Sequence, residues 1–251
     1  MENKKITAIV LAAGNSTRFG KNRNKNFEII NNKTILEYSL NEFNENSYID
    51  NIIVAVKENE LEQVKAIVDR INKNKNFKFV IGGSTRQESV YNCINATDAN
   101  IVIIHDGARP MIEQRYIYEC IKEMDNFRGV TIGVKSKDTI KIADENGVVS
   151  QTTKRENTWI IQTPQCFERQ TLLNAHNKFK NSPNITDDCM LLEIDNIPVK
   201  IIPGDYSNIK VTTFDDLFCF ASGEFAVFGL IPLLSSVDFA GTSLSGENCP
   251  R

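Results

Sequence analysis

Short apolar runs alternate with helical stripes along the first hundred residues. Ile6-Thr7-Ala8-Ile9-Val10-Leu11, Ile52-Ile53-Val54-Ala55-Val56, Phe77-Lys78-Phe79-Val80-Ile81 and Ile101-Val102-Ile103-Ile104 each have the length and β-branched content of a buried strand. Between them, Ile35, Leu36, Ser39, Leu40 and Phe43 fall on one helical face, and Leu61, Val64, Ile67, Val68 and Ile71 on another. Ser84 with Gln87, or Thr85 with Glu88, has the spacing of a capping box opening a third helix. This alternation predicts an α/β fold with a doubly wound, mainly parallel sheet. Such sheets bind ligands beyond the carboxyl ends of their strands. The segments following Leu11, Ile81 and Ile104 are therefore where a site is expected.

Residues 135–159 break the pattern. Thr139-Ile140-Lys141-Ile142 and Val148-Val149-Ser150-Gln151 flank Asn146-Gly147, a hairpin signal in a polar stretch. The segment reads as a β-hairpin arm projecting from the sheet, either a plain surface hairpin or a grip on a second subunit. Beyond Leu217 the composition shifts. No lysine follows Lys210, and Asn248 is the one asparagine after Asn208. The expected division is thus a catalytic domain over 1–217 and a divergent tail over 218–251, to which no chemistry is assigned.

Bulk composition narrows the function classes. The chain has 251 residues, a formal net charge of −3, 41% hydrophobic and 24% charged residues. It lacks the basic surplus of a nucleic-acid binder and any apolar stretch of membrane-spanning length. Six scattered cysteines without a C-x-x-C pair suit reduced thiols in a cytoplasmic protein. No secretory signal is expected before the first strand.

Three segments at strand ends carry candidate chemistry. Leu11-Ala12-Ala13-Gly14-Asn15-Ser16-Thr17-Arg18-Phe19-Gly20, followed by Lys25, offers small residues for close backbone approach and two cations for phosphate. It is not a P-loop, because five residues separate Gly14 from Gly20-Lys21 and Asn22 follows, and it lacks G-x-G-x-x-G. Taken alone it is equally a surface turn. Gly82-Gly83-Ser84-Thr85-Arg86-Gln87-Glu88-Ser89 is either an ordinary capped strand-to-helix turn or a pocket wall. In His105-Asp106-Gly107-Ala108-Arg109-Pro110, the aspartate suits a hydrated Mg²⁺, which takes one or two carboxylates plus phosphate oxygens, or it is simply a cap. Thr186 is expected to cap a helix containing Met190, Leu191 and Ile194.

Together with Lys137-Asp138-Thr139, Arg155, Gln162-Thr163-Pro164-Gln165, Thr186-Asp187-Asp188 and Asn208-Ile209-Lys210-Val211-Thr212, these segments resemble the 2-C-methyl-D-erythritol 4-phosphate cytidylyltransferase family over about residues 5–217. The resemblance rests on the ordered set L-A-A-G-x-x-x-R-x-G, K-x-F, G-G-x-x-R-x-x-S-V, H-D-x-A-R-P, D-T-I-K, Q-T-P-Q-x-F, I-T-D-D and N-I-K-V-T-T. It implies a nucleotide-diphospho-sugar transferase-like, Rossmann-type fold and a homodimer joined through the arm. Arg18 and Lys25 would stabilise the transition state. Arg155 and Lys210 would position the methylerythritol phosphate. Ala12, Ala13, Gly14, Gly82, Gly83, Ser89, Asp106 and Gly107 would bind CTP. Asp106 would hold Mg²⁺, and Arg109 and Thr139 would bind acceptor phosphate from the partner subunit. Asn26 stands where the family usually has Gln, and Ser84 where some members carry Asp. A ribitol-5-phosphate cytidylyltransferase shares most of these motifs. A non-catalytic nucleotide-binding protein on the same fold is the alternative from another class.

Overall fold

The computed structural model describes residues 4–14, 19, 24–71, 74–180, 182, 184–217 and 220. Strand β1 (Ile6–Leu11) is followed by a small hairpin, β2 (Ile29–Ile30) and β3 (Lys33–Thr34), which runs directly into α1 (Ile35–Glu45). Then come β4 (Asn51–Val56), α2 (Leu61–Arg70), β5 (Asn76–Ile81), α3 (Arg86–Asn95), β6 (Ile101–Asp106) and α4 (Gln114–Glu123). The second half contributes β7 (Gly129–Lys135), β8 (Lys141–Ala143), β9 (Val149–Thr152) and β10 (Trp159–Glu168). The described elements close with α5 (Arg169–Lys178), α6 (Asp188–Ile194) and β11 (Val199–Pro203).

Seven strands form one sheet in the order β11-β7-β10-β6-β1-β4-β5. β1 pairs in parallel with β4 and β6, β4 with β5, and β11 with β7. β10 runs antiparallel to both neighbours, β6 and β7. The four expected strands and their parallel order are present. The antiparallel β10, with β7 and β11 beyond it, was not read from the sequence. Connections from β1 wind toward β4, whereas those from β6 wind toward the other edge. The crevice at the carboxyl ends of β1 and β6 is therefore the topological switch point.

Both faces of the sheet are covered, which is why its central strands are uninterrupted apolar runs. One layer packs Ile6, Ala8, Val10, Ile52, Val54, Ile101 and Ile103 against Leu36, Leu40 and Phe43 of α1 and Tyr116, Ile117, Cys120 and Ile121 of α4. The other packs Ile9, Ile53, Ala55, Val102 and Ile104 against Val90, Cys93 and Ile94 of α3, Leu172 of α5 and Leu191 and Leu192 of α6. Local chemistry starts the helices. Thr34 Oγ1 accepts from Glu37 N (3.2 Å) and the Glu37 carboxylate reaches back to Thr34 N, a full capping box. Thr85, not Ser84, caps α3 by accepting from Glu88 N (3.1 Å), while the Glu88 carboxylate takes Ser84 N and Oγ at 2.7 Å each. The cap of α6 is Asp187, accepting from Met190 N (3.1 Å), rather than the expected Thr186.

The arm is a separate two-stranded sheet of β8 and β9, exposed at every strand residue. Asp144 Oδ1 accepts from Asn146 N (3.0 Å) and Val148 N (2.9 Å), and Gly147 takes φ +79°, a left-handed conformation suited to glycine. The expected boundary after Leu217 does not coincide with the edge of the packed body. Phe220 is buried and meets the Tyr38 ring edge-on with centroids 5.0 Å apart. The rest of the tail assigned to 218–251 lies outside the described residues.

Phe167 of β10 is fully buried between the β6 and β7 partners Val102 and Gly129. Phe167→Ala is expected to remove about 3–5 kcal/mol of stability by leaving a cavity at this junction, measured by urea denaturation at constant m-value.

Candidate active site

A cleft of about 530 Å³ opens at the carboxyl ends of β1, β4, β5 and β6. Ala13 and Gly14 form one wall, Gly82, Gly83 and Ser89 another, and Lys25, Arg86, Asp106 and Lys210 bring charge to it. The glycine positions have a steric reason. A Cβ on Gly82 would sit 2.6 Å from Ala13 Cβ and 2.9 Å from Ser89 Oγ, closing the gap between the two walls. Ser89 Oγ donates to Thr85 O (2.9 Å) and accepts from Gly83 N (3.0 Å), so the hydroxyl shapes the turn. Ala12 and Gly107, expected to line the pocket, sit behind it. Both are buried: Ala12 N donates to Ala55 O (2.9 Å) and Gly107 N donates to Leu11 O (3.0 Å), holding the strand ends together.

Lys25 starts a single 3-10 turn, Lys25–Phe27, fastened on both sides. Asn24 Nδ2 donates to Glu60 Oε2 (2.9 Å), and Glu60 also holds Lys57 Nζ at 3.4 Å. The buried Asn26 donates to Ala12 O (3.1 Å), tying the lysine turn to the end of β1. Here the shorter amide, in place of the family's usual glutamine, serves as a backbone tether. Arg18 lies outside the described residues.

Asp106 ends β6 at the centre of the charge arrangement. Its Oδ2 lies 2.7 Å from Lys210 Nζ and 3.8 Å from Arg109 Nε, and its Oδ1 lies 3.7 Å from Arg86 Nε. Burial alone would raise its pKa, but Arg86, Lys210 and Arg109 outweigh burial and hold the carboxyl well below the usual carboxylate range. The strand's backbone is fixed from β10. Asp106 N donates to Thr163 Oγ1 (3.1 Å), and the same hydroxyl lies 3.0 Å from His105 Nδ1. Burial draws the imidazole's pKa down to about 4 despite the adjacent Asp106, which keeps the ring neutral near pH 7. Nε2 faces Arg109 O (3.1 Å), which can only accept, so Nε2 carries the proton and Nδ1 accepts from the Thr163 hydroxyl. His105 is a packed structural residue.

Arg109 is partly buried in its own chain, donating to Asn208 O (2.8 Å) as well as flanking Asp106. Thr139 is elsewhere, on the arm, where its hydroxyl meets Arg155 at 3.2 Å. Within this chain Arg109 braces Asp106 beside the cleft, while Thr139 is exposed on the arm. Arg155 is also exposed and does not line the cleft of this chain. Of the four cations singled out, the structure brings Lys25 and Lys210 into one cleft. Arg86, which the sequence reading passed over, joins them. Its signal was its place as the first residue of α3 after the Gly82-Gly83 turn. Among the described residues there is no cluster of three or more metal-ligating side chains.

A model of the 2-C-methyl-D-erythritol 4-phosphate cytidylyltransferase family matches residues 6–227. The chain belongs to this family. It is similar to the enzyme of that name from Caldanaerobacter subterraneus subsp. tengcongensis, with 42% identity over 84% of this chain and 95% of the relative. It is 41% identical to that of Clostridium botulinum strain 657, over 85% and 94%. The solved 4-diphosphocytidyl-2C-methyl-D-erythritol synthase of Anaerococcus prevotii superposes with a TM-score of 0.78 at 31% identity, covering 89% of this chain and 99% of that one. The Francisella tularensis cytidylyltransferase gives 0.71 at 30% identity, over 90% and 100%. The cytidylyltransferase described here therefore transfers CMP from CTP to 2-C-methyl-D-erythritol 4-phosphate in isoprenoid precursor synthesis.

For this cytidylyltransferase, Gly82→Ala is expected to weaken CTP binding roughly tenfold, the equivalent of about 1.4 kcal/mol of overpacking between the two walls. Isothermal titration of CTP into the variant measures it directly.

Proposed function

We propose that the cleft performs the transfer by charge placement, with no general base. The acceptor's phosphate oxygen attacks the α-phosphorus of CTP in line, and pyrophosphate leaves. That oxygen is already anionic, and the one histidine near the cleft is buried, neutral and hydrogen-bonded at both ring nitrogens. The obstacle is repulsion between two anions and the charge developing on the α-phosphate. Lys25, in the turn tethered through Asn24 and Asn26, is assigned to the α-phosphate. Lys210 is assigned to the acceptor phosphate, exchanging Asp106 for it. Arg18 is assigned to the α-phosphate with Lys25 on the family resemblance. The single observation carrying this reading is that Lys25, Arg86 and Lys210 line one switch-point cleft, in which Arg86 and Lys210 flank an ionised carboxylate.

Asp106 fits a Mg²⁺ role. Its neighbours keep it ionised, and one carboxylate without a surrounding ligand cage suits a cation that takes its other ligands from phosphate oxygens and water. Bound there, Mg²⁺ would neutralise triphosphate charge.

Arg155 and Thr139 are hydrogen-bonded to each other, so the same subunit supplies both to any acceptor site. The arm supports a homodimer. Ile140, Ile142, Val148 and Val149 are exposed on it, an apolar surface suited to a second copy. A cytosolic location accords with four buried free cysteines, Cys93, Cys120, Cys166 and Cys189. Among the described residues no helix is long and apolar enough to cross a membrane.

Pyrophosphate release from CTP tests this reading. Turnover is expected with 2-C-methyl-D-erythritol 4-phosphate and not with ribitol 5-phosphate, and chelation with EDTA is expected to abolish it. Lys25→Ala should lower kcat roughly 10²–10³-fold with the KM for CTP little changed. Near-wild-type turnover in that variant would remove Lys25 from the chemistry.

A further inference from the structure

Behind the cleft, Arg86 is backed by a buried carboxylate to which the transfer mechanism gives no role. Arg86 lines the cleft with its Nε edge 3.7 Å from Asp106 Oδ1. Its NH1 is held by Asp188 Oδ2 at 2.6 Å. Asp188 opens α6 and has a side chain 1% exposed; its other oxygen lies 3.3 Å from Nε2 of His176, which is equally buried. Three elements thus meet behind the site: α3 through Arg86, α6 through Asp188 and α5 through His176. β10 secures the corner, because Gln165 Nε2 donates to Asp187 Oδ2 (2.7 Å), the residue before Asp188.

We infer that Asp188 is a positioning residue for the transfer reaction, clamping Arg86 so that the Asp106 carboxylate stays turned toward Lys210. This rests on the reading that Lys210 meets the acceptor phosphate. Arg86, Arg109 and Lys210 surround Asp106, three cations on one carboxylate. Without a second anion, Arg86 has every reason to close the 3.7 Å gap and pair fully with Asp106. Arg86 faces Oδ1 and Lys210 faces Oδ2, so a closer Arg86 would turn the carboxylate and draw Oδ2 away from Lys210. Asp188 prevents this by taking one edge of the guanidinium, and the planar fork then holds the other edge at its distance. A lysine in place of Arg86 has one point charge for two carboxylates and cannot hold both. Asp188 balances one of the three cations and leaves the cleft with a surplus for an anionic acceptor.

The decisive variant is Asp188→Asn, which removes the charge and keeps the volume. It is assayed well below its own unfolding midpoint, so that the protein is folded. The acceptor KM is expected to rise and kcat to fall, together by about 10- to 100-fold in kcat/KM, the range found for residues that orient a ligand from behind. CTP affinity by calorimetry without Mg²⁺, where the metal role of Asp106 does not enter, should fall by less than the acceptor KM rises, since neither Lys25 nor the glycine walls are touched. Asp188→Glu, which restores the carboxylate, should recover part of the loss. A folded Asp188→Asn enzyme with wild-type acceptor KM and kcat overturns the proposal. So does a loss that falls equally on CTP binding and acceptor KM, the signature of a merely structural residue. If Asp188→Asn does not fold, Arg86→Lys answers the question: the acceptor KM should rise although the charge is retained, and wild-type kinetics overturn the proposal. Failure of the wild-type protein to release pyrophosphate with methylerythritol phosphate would strike the functional reading itself. Unchanged variant kinetics beside an active wild type strike only the role of Asp188.

Discussion

The Asp106 carboxylate, enclosed by Lys210, Arg109 and Arg86, is the interaction on which the site depends. An isolated carboxylate at the buried end of a central strand would be driven toward its neutral form by loss of solvation. Three cations reverse that and keep it ionised. The same enclosure fixes the cations. Lys210 comes from the segment after β11, Arg109 from the turn after β6 and Arg86 from the start of α3, and each would repel the others without the shared anion. The arrangement is electrostatically prepaid: the positive charge needed for two phosphate-bearing substrates is ordered before either arrives.

The fold supplies this meeting point through its strand order. Because β1 and β6 are adjacent but their connections leave in opposite directions, a crevice forms at their carboxyl ends. The antiparallel β10 then braces it from the side. Its Thr163 holds the Asp106 amide and its Gln165 holds Asp187, so one strand aligns both carboxylates that grip Arg86. Asn208, fully buried, donates to Thr163 O (3.0 Å) and accepts from Arg109, fixing the start of the segment that carries Lys210. The Gln162-Thr163-Pro164-Gln165 segment is thus a scaffold for the charges and contributes none of its own.

What the sequence made legible follows from how each feature is encoded. β1, β4 and β6 are buried on both faces, so each is a continuous apolar run that needs no knowledge of its neighbours, and the half-exposed edge strand β5 is still marked by its β-formers Phe77, Phe79, Val80 and Ile81. The arm hairpin is encoded locally by Asn146-Gly147. β10 was hidden because polar residues and a proline interrupt its middle, and its direction is set by pairing with strands about thirty to sixty residues away. Lys25, Asp106 and Lys210 were found because their motifs are ordered like those of the family. Arg86 and Asp188 looked like ordinary residues at helix starts, and their joint role emerges only when α3 and α6 pack against the end of β6. Arg109 and Thr139 were named by resemblance alone, and in this chain they stand apart, one flanking Asp106 and the other on the arm.

The central claim is that this cleft orders its cations around Asp106 for a metal-bound triphosphate. A crystal structure of the protein with CTP and Mg²⁺ tests it most directly. The account predicts the triphosphate lying between the Ala13-Gly14 turn and Asp106, with Lys25 Nζ within hydrogen-bonding distance, roughly 3 Å, of an α-phosphate oxygen. It also predicts Arg86 still bridging Asp106 and Asp188. A nucleotide bound elsewhere, or a Lys25 side chain turned away from the α-phosphate in a fully occupied site, would contradict it.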